Sequence, residues 1–450
     1  MLSSLAEICF LQSTRIETGT DQYGIPLHFS QRYNTGQVNL SVRKAICSLL
    51  AAAVTYVIFR CIYNLHFHPL ARYPGPWLAR VSRLYAAYYN WRGDPHLQIH
   101  KLHEQYGPYV RWVPNTLLMN TPGALHDLYR VTDKTKKHSG YSLLASIPNT
   151  ISTHDEAIHR LRRKFISKSL SQQAVREHEP TIIEAVHRLL ACISRSTRIP
   201  TSQSSLSGWT LPFNMADWLD FTMLDVMCKV AFGLEFNTVE NAATQETIRS
   251  LIEDIKTTQV RSIVLSYLPV LQTLNFDRLL FTKECLAGLR FVAFVNNIVK
   301  ARLAPNSSET LCSDILGGLM TTPDPLTNKK RTRGSLISES AMLIIAGADT
   351  SATTLSALLF YLARNPNAYR KLATELRTVF PDTTCVSLGT SLSSCAYLRA
   401  CIDETLRMTP PVGSILPREI LPGGAVVDGI FLPEGTSVGT GVYAIQHHAA

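Results

Sequence analysis

The sequence predicts a mainly α-helical body with a small β-rich region near its C-terminal end and a transmembrane helix ahead of it. Three observations carry this. Apolar residues recur at helical spacing through the middle of the chain. Short β-prone runs separated by glycine-containing pairs cluster after Pro410. An uncharged apolar run occupies residues 45–59. With 450 residues, 46% of them apolar, the chain can bury a large core.

The run at 45–59, AICSLLAAAVTYVIF, is followed by Arg60, Cys61, Ile62 and Tyr63. Together they approach the roughly 20 residues that cross a bilayer, and Arg60 can reach back to the headgroups. A buried core helix has the same composition; the basic, proline-rich sequence that follows favours the anchor. The chain therefore divides into a flexible polar leader (1–44), an anchor (45–63) and a body (64–450). Pro74, Gly75 and Pro76 open the body with a stiff hinge that cannot continue a helix.

Helical patterns follow at 95–106, 156–170, 177–193, 216–232, 243–257 and 278–302. Residues 193–208, rich in Ser and Thr, read as a loop, as do 321–334. Past Pro410, the pairs Gly423–Gly424, Asp428–Gly429 and Glu434–Gly435 separate runs at 425–427 and 436–438, the pattern of hairpins.

Lys and Arg outnumber Asp and Glu by 44 to 34, without a long run of one sign. This suits an anionic membrane or an acidic protein partner and speaks against a nucleic-acid arm. The ten cysteines form no CxxC pair, so they read as reduced thiols of a cytosol-facing protein.

Two segments carry chemistry. Residues 339–364 are apolar nearly all round, which marks a helix at the centre of a large protein. Gly347, Asp349, Thr350 and Ser351 interrupt it. Glycine in a helix costs about 1 kcal/mol against alanine, and a buried unpaired carboxylate costs more. Either the helix opens there for a ligand or water, or Thr350 bonds back to its own helix and Asp349 caps a kink; the residues alone leave both standing. In the second segment, Glu404 and Arg407 share one helix face, and Pro410 and Pro411 stop that helix. Such a pair is most often solvated, though its apolar and small neighbours hint at burial.

In this order the two segments resemble the cytochrome P-450 family of haem-thiolate monooxygenases, of fungal microsomal type. Ala346, Gly347, Ala348, Asp349, Thr350 and Ser351 resemble the family's A/G-G-x-D/E-T-T/S motif, and Glu404 to Arg407 its E-x-x-R motif. The post-anchor stretch from His68 to Pro76, the His159-x-x-x-Arg163 pattern and Leu416-Pro417-Arg418 resemble further family segments. The likeness runs from about residue 65 onward.

The resemblance implies a cytochrome P-450-like fold and a haem b cofactor. It makes Asp349 and Thr350 the catalytic acid–alcohol pair. Arg163 and Arg418 would neutralise the haem propionates, and Ala346 and Gly347 would lie on the cofactor. Glu404 and Arg407 would be structural. Ile345, with Val412, Gly413, Ser414 and Ile415, would line the pocket of a hydrophobic small-molecule substrate, one of secondary metabolism. It implies electrons from an NADPH-dependent flavoprotein reductase. It places the protein in the endoplasmic reticulum membrane as a single-pass protein with its body in the cytosol.

The family's F-x-x-G-x-R-x-C-x-G loop is expected some tens of residues beyond His448. None of the ten cysteines has Gly and Arg at the required positions before it, so no residue here is assigned as axial metal ligand. If translation stops at Ala450, the expectation becomes a truncated, haem-free, non-catalytic membrane protein of the same ancestry.

Overall fold

A computed structural model describes residues 35–130, 134–196, 212–304, 314–324 and 328–448. They fall into two compact units, one ending at Ile62 and one beginning at Tyr63. The first contains α1 (Thr35–Ile62), which begins ten residues before the expected anchor. Residues 35–44 are thus helical and not part of a flexible leader. No glycine or proline follows Gly36 within α1, so its polar start does not break the hydrogen-bond ladder. The leader's residues 1–34, and 197–208 of the expected Ser/Thr-rich loop, lie outside the described residues; 193–196 are helical. From Val42 the helical run is long and apolar enough to cross a membrane, and none of its apolar window is buried against protein.

The principal helices of the body are α2 (Leu84–Arg92), α3 (Pro95–Tyr106), α4 (Glu156–Ser169), α5 (Glu179–Ser196), α6 (Met215–Phe232), α7 (Ala242–Tyr267) and α8 (Thr282–Arg302). They continue with α9 (Arg333–Ile344), α10 (Thr350–Arg364), α11 (Pro366–Val379), α12 (Ala396–Met408) and the short α13 (Val442–Gln446). Most match the periodicity within a few residues. The expected helix at 243–257 runs on to Tyr267, because its apolar stripe continues through Val264 and Leu265, both buried.

The largest core joins α5, α6, α7, α8 and α9 around residues such as Phe232, Ile248, Val295 and Ile344. α6 packs against both α9 and α10, and so supports the most apolar helical segment of the body.

Among the described residues, seven short strands build the β-rich part: β1 (Tyr109–Val113), β2 (Thr116–Met119), β3 (Thr135–Lys137), β4 (Arg418–Ile420), β5 (Ala425–Val427), β6 (Ile430–Leu432) and β7 (Ser437–Gly439). Five form a mixed sheet in the order β1-β2-β7-β4-β3, in which only β2 and β7 run parallel. β5 and β6 form the expected hairpin, with Asp428 at φ 50° and Gly429 at φ 73°. The Asp428 carboxylate accepts the Tyr109 hydroxyl at 2.7 Å and the Thr121 hydroxyl at 2.6 Å, which fastens the hairpin to the sheet. β3, not anticipated from the sequence, brings Lys137 directly opposite Arg418 of β4.

α4 and α9 are joined by an ion pair in the dry core. Arg162 Nη1 donates to Glu339 Oε1 at 2.9 Å, with side-chain exposures of 6% and 1%. Thr150 donates to the same carboxylate from its amide at 3.2 Å and its hydroxyl at 3.0 Å, and Arg162 also donates to Pro148 O at 2.7 Å. Asn149 and Ser338 bond alongside. The hydrogen bonds offset the desolvation of both charges, so removing one partner strands the other. Glu339→Gln should lower the unfolding free energy by about 3–5 kcal/mol, and replacing both partners by apolar residues (Glu339→Leu with Arg162→Met) should restore part of it. Urea unfolding of the full chain in detergent measures both; a loss below about 1 kcal/mol would mean that the pair is not integral to the core.

Candidate functional site

The helix expected across 339–364 is interrupted where the sequence placed glycine and polar groups. Residues Ile345–Asp349 form a single π-helical turn between α9 and α10. Such turns leave backbone carbonyls off the α-helical ladder and recur at functional sites. Thr350 Oγ1 donates back to Ala346 O at 2.8 Å. Of the reading in which the residues serve their own helix, the Thr350 back-bond holds, whereas Asp349 makes no side-chain capping hydrogen bond at the start of α10.

The faces of this turn differ. Asp349 lines a small pocket with Ile345, Ala348, Asp220 and Leu224 of α6, and Ile252 and Ile255 of α7. Burial raises the Asp220 carboxyl above its ordinary range; Lys256 opposes that rise and Asp349 adds to it. Gly347 faces α6 so closely that a Cβ there would stand 2.2 Å from Met227 Sδ. Its glycine is explained by helix packing, where the sequence suggested contact with a cofactor. Ala346 is exposed, and so are Ser351, Leu359 and Phe360 of the same helical segment. The segment is thus not enclosed on all sides by the described residues, although its composition suggested burial all round.

A second element of the site is a group of cations. Lys137 and Arg418 face each other across β3 and β4, and Arg163 joins them from α4, one turn after His159. Burial, then the charges of Arg418 and Arg163, push the Lys137 ammonium down to about 8. Burial, then Lys137, Arg163 and Arg418, push the His159 imidazole down to about 4, so it is neutral at ordinary pH. Burial pushes the Tyr141 hydroxyl up to about 12. The Arg418 guanidinium lies 5.7 Å from the centre of the Tyr129 ring, and its Nε is buried without a hydrogen-bond partner among the described residues. Among those residues no carboxylate pairs with Lys137, Arg163 or Arg418; Glu419 bonds Lys136 instead, at 3.2 Å.

Glu404 and Arg407 form a two-pronged pair, with Arg407 Nε and Nη2 at 2.7 and 2.8 Å from the carboxylate. Their side chains are 61% and 42% exposed, against the hint of burial, because α12 packs on α10 and α11 with its other faces. Arg407 Nη1 also donates to Gln446 O at 2.8 Å and so ties α12 to α13. The segment 412–415 docks on the start of α13: the amides of Val442 and Tyr443 donate to Ser414 O and Gly413 O at 3.2 and 3.0 Å, and Ile415 bridges to Gly441. Val412 is half exposed. The pocket lined by Ile345 does not include 412–415. His447 stacks on Tyr443 with ring centres 3.9 Å apart.

Sequence reasoning missed Lys137, the Arg162–Glu339 pair and Met227. Only cross-strand register reveals the first, and only the crossing of α4 or α6 with the α9–α10 segment reveals the others.

Residues 74–450 match the family model for cytochrome P450. The chain is 36% identical to the cytochrome P450 monooxygenase poxM of Penicillium oxalicum, over 87% of this chain and 75% of that one. It is 35% identical to the cytochrome P450 monooxygenase AKT7 of Alternaria alternata, over 92% of this chain and 77% of that one. A crystal structure of the cytochrome P450DA heme domain shares the fold, with a TM-score of 0.61 at 15% identity, covering 79% of this chain and 74% of that one.

The approach of Met227 to Gly347 makes a clear prediction. Gly347→Ala should destabilise the chain by about 1–3 kcal/mol through overpacking, despite alanine's better helix propensity. Pairing it with Met227→Ala should relieve part of the loss, so a double-mutant cycle of denaturant midpoints should show coupling of about 0.5 kcal/mol or more. Additive effects would contradict the contact.

Proposed function

The chain belongs to the cytochrome P450 family, and from that membership we propose that it serves as a haem-dependent monooxygenase oxidising a hydrophobic small molecule. The observation that carries the reading to this chain is the group of cations formed by Lys137, Arg163 and Arg418. Arg163 and Arg418 lack carboxylate partners among the described residues, and Arg418 retains an unbonded, buried Nε. A haem presents two carboxylates, which suit guanidinium forks; the residues present fit that end of the group.

When bound, the haem supplies the redox chemistry by which dioxygen is activated. The chain's own residues supply position and protons. Arg163 and Arg418 neutralise the propionates. Ala346, small and exposed on the π turn, leaves room for a flat group to approach the helix. Thr350, one turn further on, can release Ala346 O and offer its hydroxyl proton outward. Asp349 holds a carboxylate on the α6 side of the same turn, in the pocket it shares with Asp220. Ile345, Val412 and Ile415 favour an apolar substrate, Gly413 and Ser414 keep that segment slim, and Glu404 with Arg407 holds α12 to α13. In this reading electrons come from an NADPH-dependent flavoprotein reductase, and α1 anchors a cytosolic body to the endoplasmic reticulum membrane. We assign the substrate to secondary metabolism on the likeness to fungal relatives.

A second reading is a haem-free relative without catalytic activity. A carbon-monoxide difference spectrum of the reduced full chain separates the two. The thiolate-type band supports the monooxygenase; its absence supports the haem-free relative. In a chain that gives the band, Thr350→Ala should lower product formed per dioxygen consumed while the band persists. Unchanged coupling would remove Thr350 from proton delivery.

A further inference from the structure

We infer that the packing of α13 on α3 is an acid-sensitive latch: protonation of the histidines gathered there, His103 above all, loosens α13 and with it the 412–415 segment that α13 holds. The latch is a property of the chain itself and goes beyond the haem reading above.

His96, His100 and His103 recur at helical spacing on α3, and α13 brings Tyr443, His447 and His448 beside them. The Tyr443 ring lies edge-on to His96 and His100, with centres 5.3 and 5.7 Å apart, and His447 stands 6.1 Å from His100. The rest of the contact is apolar and close. Ala444 shares a core with Ile99 and Leu102, and a Cβ on Gly441 would stand 2.7 Å from Ile99 Cγ2. His96 also touches the segment that α13 holds, since its Cβ lies 3.4 Å from where a Cβ on Gly413 would be. The amides of Val442 and Tyr443, donating to Ser414 O and Gly413 O, complete the latch.

His103 is the buried member, 6% exposed. Its Nδ1 lies 3.0 Å from Gly107 O, so the neutral ring carries its proton there; Nε2 has no hydrogen-bond partner among the described residues. A second proton, on Nε2, puts a charge and an unsatisfied donor in the interior. Burial lowers His103 from the ordinary imidazole range; the Gly107 carbonyl opposes this, and the charges of His100 and His448 add to it. Burial lowers His96 as well, against Asp94, which pairs with Arg92 at 2.8 Å. Among the neighbouring elements, α2 offers the Tyr85 hydroxyl, which accepts from Gln98, and β1 offers Arg111, bonded to the carbonyls of Asn64 and Pro114. Neither supplies an anion to His103. Two carboxylates favour protonation: Glu104 lies 3.5 Å from His100 Nε2, and Glu404 of α12 faces the charge of His447. Their side chains are 67% and 61% exposed, and exposed pairs contribute little. The buried, unpartnered imidazole therefore decides the sign. Because burial lowers both His96 and His103 in the folded chain, the closed packing is at full strength above the free imidazole value of about 6.5 and weakens as pH falls through it.

Hydrogen exchange on the full chain in detergent tests this, read as protection of the Val442, Tyr443 and Ile445 amides across a pH series. The parent should lose protection there as pH falls below about 6.5, by at most about tenfold per pH unit for each imidazole that takes a proton. Amides of the β1–β2 pair should keep theirs over the same range, which separates a local latch from general acid unfolding. His103→Asn keeps a donor for Gly107 O and cannot take the proton. At about pH 5.5 its α13 amides should retain at least about threefold more of their neutral-pH protection than the parent's. If that variant does not fold, His100→Gln with His448→Gln removes the two cations that oppose the proton on His103, and should likewise shrink the acid loss. The same acid profile in the parent and in the variant, a parallel loss of protection in β1 and β2, or no acid loss at α13 in the parent would each overturn the latch.

Discussion

The carboxylate of Glu339, held in the core by Arg162 and Thr150, ties the helix that bears Arg163 to the helix that leads into the polar turn. Because Arg162 is locked inward, its neighbour Arg163 cannot turn inward too; consecutive helical residues point about 100° apart. The same carboxylate holds Thr150, whose carbonyl receives Lys137. One buried ion pair thus orders the 148–153 segment and indirectly steadies two of the three cations. Pairs of this kind contribute little net stability compared with an apolar substitute. Their value here is geometric.

The π turn at Ile345–Asp349 depends on a different constraint, the closeness of α6. Met227 occupies the space that a side chain at position 347 would need. With Gly347 taken up by packing, Asp349 lies against α6 and α7, while Ala346 and the hydroxyl bond of Thr350 lie at the exposed side. The acid and the alcohol are neighbours in sequence but serve different faces, so proton transfer between them in the proposed mechanism needs water or a rotation of Thr350.

Much of the fold was legible in the sequence. The helix at 95–106 begins and ends where its pattern said, because Pro95 and Gly107 punctuate it chemically. The Asp428–Gly429 hairpin was legible for the same reason: only residues tolerant of positive φ make that turn. The start of α1 was not, since polar residues can extend a helix without changing the apolar run that marks it. Within the site, Asp349, Thr350, Arg163 and Arg418 were named from motifs, and the break in the helix from the cost of Gly347. Lys137 was hidden because three residues, Thr135 to Lys137, are too short a run for period-two alternation to show. The exposure of Glu404 and Arg407 was also hidden, since their spacing fixes the pair but not what lies beside it.

The central claim is that Arg163 and Arg418 would receive the carboxylates of a bound haem. An experimental structure of the full chain bound to haemin tests it most directly. The account predicts propionate oxygens within hydrogen-bond distance of Arg163 and Arg418. Propionates directed to solvent or to another part of the body, with both arginines left unpaired, would contradict it.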